Sequence, residues 1–103
     1  MAIRAIIKKP VIFPKHKNTL GIFGENIKLA RLRRKLSISQ IAERTDLLDE
    51  TIILIEDGDE SVAIGHYFNV LRVLNLHLDF LKLASDDELG RKLQDLELLA
   101  NND

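Results

Sequence analysis

At 103 residues, 46% hydrophobic and 30% charged, the chain has the composition of a single folded domain and too little length for two. It contains no cysteine, which excludes a disulfide framework, a thiolate zinc site and a cysteine nucleophile. The net charge of −1 hides a polarity: the first 35 residues hold ten Lys/Arg against Glu25, a balance of +9, and the other 68 hold five Lys/Arg against fifteen Asp/Glu, a balance of −10. Such asymmetry fits a basic surface for a polyanion beside an acidic surface for a basic protein or the basic arm of a second copy; solvated faces without partners have the same composition. No apolar run approaches the roughly 20 residues of a membrane span, and Lys8, Lys9 and Pro10 interrupt what would be a signal peptide's apolar core. A cytoplasmic location is therefore expected.

Taken in chain order, Ala2 to Phe13 mixes β-branched and basic residues and ends in a segment bounded by Pro10 and Pro14, which reads as an extended arm or edge strand. Its Ile3, Ile6, Ile7, Val11, Ile12 and Phe13 are costly to expose, so burial between two subunits is expected. The arm is assigned residues 1–23. A first, basic helix is predicted from Glu25 to Leu36, with Ile27, Ala30, Leu32 and Leu36 on one face and Lys28, Arg31, Arg33, Arg34 and Lys35 around the rest. Ser37 to Gln40 fits the S-x-x-Q capping box and starts a second helix, which runs through Ile41, Ala42 and Arg44 and breaks near Asp46. A third begins by Asp49 and ends at Glu56, with Gly58 placed for the left-handed residue that follows a helix. Ile64, Tyr67, Phe68, Leu71 and Leu74 mark a fourth helix, and Leu78 to Leu83 a short fifth, closing a domain assigned to residues 24–84. Residues 85–103 form a helical tail, capped by Ser85 or Asp86, that is expected to dock on the core or on a partner.

Two short helices separated by Asp46, Leu47 and Leu48 have the spacing of a DNA-reading helix-turn-helix, in which one helix crosses the phosphate backbone and the next presents its first turn to the major groove. Ile41, Ala42, Leu47, Ile52 and Ile55 would supply the shared core. His16, His66 and His77 lack metal-ligand spacing, there is no phosphate-binding glycine loop, and no nucleophile is paired with a base. Neither a metal, a cofactor nor enzyme activity is expected.

Gly24 to Arg31, Leu36 to Arg44, Thr51-Ile52 and Ile55 to Gly58 together resemble the Xre/Cro family of helix-turn-helix regulators over about sixty residues. Tyr67 to Leu71, Leu74 to Leu76 and Asp87 to Asp95 are similar, more narrowly, to the HipB-type antitoxins, which are encoded beside HipA-type kinases. The resemblance implies an all-α, five-helix lambda-repressor-like domain that forms a homodimer on a two-fold operator, with half-sites roughly 34 Å apart. It also implies that Arg31 and Glu56 form a structural ion pair. Carried over by position, Ser37, Ile38, Ser39 and Gln40 would meet phosphate, with an adjacent base as an alternative contact, and Leu48, Asp49, Glu50, Thr51, Ile53 and Leu54 would face the groove. Arg33, Lys35 and the stretch from Lys15 to Lys17 would add phosphate contacts. The implied function is a repressor that autoregulates its operon, or an antitoxin or adaptor that binds a HipA-like kinase through protein contacts. The chain departs from the family at the turn, where Asp46 stands for glycine, at the start of the third helix, where Leu48 stands for serine, and across the reading surface, where Leu48, Asp49, Glu50, Ile53 and Leu54 replace the arginines, serines and glutamines common there. Asp49 and Glu50 fit three roles: complementing a helix N-terminus, accepting from cytosine N4, or contacting a protein.

Overall fold

Pro14 opens a helix. In the computed structural model, which describes residues 9–101, α1 spans Pro14–Arg33, with proline in the first turn where its fixed φ is favourable and its missing N–H costs nothing. Residues 14–23, expected in the arm, are therefore helical, and the first helix begins eleven residues before the expected Glu25. Residues 9–13 have no regular structure, no strand occurs among the described residues, and the rest of the expected arm lies outside them. The remaining elements are α2 (Ile38–Thr45), α3 (Asp49–Glu56), α4 (Ile64–Val73), a 3-10 helix (His77–Lys82) where a fifth helix was predicted, and α5 (Glu88–Ala100). The described fold is all-α, and none of its helices is long and apolar enough to cross a membrane.

Each of the first four helices ends the same way. A residue at the cap (Asp46, φ 58°) or just after it (Lys35, φ 56°; Gly58, φ 70°; Asn75, φ 62°) turns left-handed. The amide of the next residue then reaches back five positions to a carbonyl in the helix's last turn: Leu36 to Arg31, Leu47 to Ala42, Asp59 to Leu54 and Leu76 to Leu71, at 2.8–3.2 Å. That satisfies carbonyls that would otherwise lack partners, and it turns the chain sharply enough for short helices to pack. It also ends α1 at Arg33, three residues short of the expected Leu36.

Ile27 and Ala30 of α1, Ile41 and Ala42 of α2, Ile52 and Ile55 of α3, and Tyr67, Val70 and Leu71 of α4, followed by Leu74, form one buried cluster. Leu47, expected in this core, packs against it half-buried. α1 crosses the C-terminal end of α3 at a point where neither backbone leaves room for a side chain. A Cβ on Gly24 would lie 2.5 Å from the Gly58 nitrogen and 2.6 Å from the Glu56 carbonyl oxygen, and one on Gly58 would overlap the Leu20 carbonyl. Glycine inside a helix costs about 1 kcal/mol; at Gly24 the close crossing requires it. Tyr67 packs beside this crossing. Its ring stacks on Phe23 at 5.3 Å, and its hydroxyl donates to the Asp59 carbonyl at 2.7 Å. Burial, then the nearby Asp59, Glu60 and Asp57 charges, push its pKa up to about 12.

α5 does not pack on this core. Asp87 caps it by accepting from the Gly90 amide at 3.0 Å, yet no residue of the helix is buried, and Leu89, Leu93, Leu96, Leu98 and Leu99 are 58–70% exposed. The tail, expected to dock on the core or on a partner, thus does not dock on the core. The radius of gyration, 18.4 Å, exceeds the roughly 13 Å of a compact chain of this length.

Candidate nucleic-acid interface

Ser37 and Gln40 start α2 as a reciprocal cap. The Ser37 hydroxyl accepts from the Gln40 amide at 3.1 Å, and the Gln40 side-chain oxygen accepts from the Ser37 amide at 2.8 Å. Three residues, Asp46 to Leu48, then separate α2 from α3, with Asp46 left-handed. Aspartate tolerates that conformation better than most residues, which is why the turn forms without glycine. The starts of the two helices meet: the Ser39 hydroxyl donates to the Asp49 carboxylate at 2.7 Å.

Behind this surface, Arg31 holds the helices in register. Its Nε and Nη2 donate to the two Glu56 carboxylate oxygens at 2.6 and 3.0 Å, and its Nη1 donates to the Leu36 carbonyl at 2.9 Å. Both side chains are buried, 9% and 6% exposed. One guanidinium therefore ties the end of α3 to the loop that launches α2. Arginine suits this better than lysine because its planar fork serves three acceptors at once.

The front surface is exposed and chemically mixed. Arg33, Arg34 and Lys35 lie at the end of α1 just before the Ser37 cap, all exposed. Arg34, not among the expected contact residues, donates to the Ala30 carbonyl at 2.8 Å, which folds its head back on the helix end; basic residues in a last turn are the signal for such a role. Ser37, Ser39 and Gln40 are exposed, whereas Ile38 is half-buried against the core and is not presented outward. On α3, Leu48, Asp49, Glu50, Ile53 and Leu54 are exposed and Thr51 is half-buried. Asp57, at the same helical spacing, extends this outward stripe and was not expected in it.

The stretch from Lys15 to Lys17, expected to add phosphate contacts, lies elsewhere. Lys17 pairs with Glu60 at 3.7 Å, beyond the C-terminal end of α3, and the eight residues of α3 separate that end from Leu48 by about 12 Å. A cavity of about 230 Å³ is at this far end, lined by Pro10, Ile12, Leu20, Val62, Ile64 and Tyr67 with the Asp59 and Glu60 carboxylates. Both acids are engaged: Glu60 with Lys17, and Asp59 with the Ser61 amide and hydroxyl, which hold its carboxyl below the usual range. No cluster of three or more potential metal ligands occurs among the described residues. No family model matches the chain, and neither does any curated protein or solved structure compared with it.

Proposed function

We propose that this chain is a sequence-specific DNA-binding regulator of the Xre/Cro helix-turn-helix type, a repressor that acts on its own operon and is most like the HipB-type antitoxins. One observation carries the reading: two eight-residue helices meet at their N-termini through Ser39 and Asp49, beside the exposed Arg33, Arg34 and Lys35. Unsatisfied amides and basic side chains on one surface attract phosphate, and the short turn leaves the first turn of α3 projecting toward a groove. Binding, and no catalysis, is the activity implied. The decisive experiment is an electrophoretic shift with the DNA upstream of its own gene. A complex that survives competitor DNA and weakens steeply with salt is expected; no specific complex at low salt overturns the reading.

A homodimer on a two-fold operator belongs to the same proposal, supported by the exposed leucines of α5, which are many for a helix with no apolar neighbour. A second reading is favoured by the outward stripe of α3, where Asp49, Glu50 and Asp57 alternate with Ile53 and Leu54. Acids repel phosphate, and apolar side chains suit a protein surface, so this face can serve an adaptor that docks on a HipA-like kinase. Co-purification with a neighbouring gene's kinase-like product, lost in Ile53→Asp, supports that reading; a free chain beside that product counts against it.

A further inference from the structure

We infer that α3 reads the pyrimidine side of the major groove, with Leu48, Ile53 and Leu54 against thymine C5-methyl groups and Glu50 accepting from cytosine N4; this rests on the DNA-binding reading above. The inventory of α3 leads there. It carries no Arg, Lys, Asn or Gln, so it has no partner for guanine, whose groove edge offers two acceptors, and none for the paired donor and acceptor of adenine. Its one hydroxyl, on Thr51, is half-buried.

The two acids at its start are not equivalent. Asp49 is tied to α2 by the Ser39 hydroxyl at 2.7 Å, whereas Glu50 is exposed and has no hydrogen bond or ion pair among the described residues. A free carboxylate only accepts, and cytosine presents an amino donor in the groove without the adjacent N7 acceptor that would repel it at adenine.

Leu48 is the stronger sign. It occupies the N-cap, where Ser, Thr, Asp or Asn would satisfy an amide, makes no cap hydrogen bond, and is 71% exposed. A leucine that gives up a cap and stays in water has its apolar surface available for a groove partner, and the thymine methyl is the apolar group that the groove offers. Arg33 and Lys35, exposed beside the α2 cap, provide the positive charge that a phosphate backbone needs to hold an acidic helix in place.

The test uses the full chain and duplexes enriched by it from a random pool. Replacing thymine by uracil in the enriched half-site removes only the methyl group. Each contacted position is expected to weaken binding about four-fold, the factor implied by burying one carbon. Leu48→Ala, an exposed position whose change leaves the core intact, is expected to erase part of that difference while leaving the salt dependence unchanged. Glu50→Gln is expected to move the preference at one position from cytosine to adenine. Enriched sites that bind equally well with uracil overturn this inference and leave DNA binding standing. A pool that yields no enrichment overturns the DNA-binding reading, and this inference with it.

Discussion

Tyr67 is the chain's only tyrosine, and there is no tryptophan, so its ionisation can be followed directly by phenolate absorbance. Buried and held to the Asp59 carbonyl, it titrates near 12, against about 10 when unfolded. Because the folded value is the higher one, the native state holds the proton more tightly. The associated stability is intact below pH 10 and is lost as pH rises through 12. The expected observation is a phenolate midpoint near 12 in the native protein that falls to about 10 in denaturant. A native midpoint at 10 would contradict the burial described. Arg31 and Glu56 give a second prediction. Removing one partner (Arg31→Met or Glu56→Gln) strands a buried charge and is expected to cost about 3–5 kcal/mol in urea unfolding. An apolar replacement of both is expected to cost much less, and a double-mutant cycle measures the difference. The resemblance to a known family implied this pair from sequence, but composition and spacing alone did not, because the two side chains are 25 positions apart. The third bond, to the Leu36 carbonyl, had no sequence signal at all.

Among the helices, the ends were more legible than the crossings. The S-x-x-Q box and Gly58 report local geometry, and they mark the start of α2 and the end of α3 within a residue of where these occur. The start of α1 differs from expectation because Pro10 and Pro14 read as the bounds of an extended segment, although proline is favourable in a first turn; Gly24 is needed where α1 meets α3. The left-handed ends supply a contrast that can be measured. Lys35→Gly relieves a strained lysine and is expected to raise stability by about 0.5–1 kcal/mol, net of glycine's greater unfolded freedom. Gly58→Ala adds both left-handed strain and overlap with the Leu20 carbonyl, and is expected to cost about 2–3 kcal/mol. Thermal unfolding of the two variants should therefore shift in opposite directions.

For the molecule as a whole, the polarity of charge and the tail are the features that matter. Among the described residues, the basic ones of the first 35 positions do not form one face: Lys17 pairs with Glu60 beyond the C-terminal end of α3, while Arg33 and Lys35 stand just before the Ser37 cap of α2. α5 projects with its leucines uncovered, so under the proposed homodimer it is the element to perturb. Leu93→Asp with Leu96→Asp is expected to reduce sedimentation to that of a monomer and to abolish any concentration dependence of Tm, while far-UV helicity of the core persists. Dimers that survive this change would place the interface elsewhere.

Local patterning was enough to establish the all-α class of the described fold, the α2–α3 pair with its three-residue turn, and a tail helix, because caps, left-handed ends and apolar periodicity depend on residues within about one or two turns of each other. Packing alone decided why Gly24 lies inside α1, that Ser39 takes up Asp49 and leaves Glu50 exposed, and that α5 stands clear of the core. Those outcomes depend on contacts between residues distant in the chain, and such contacts leave no trace in the spacing of neighbours.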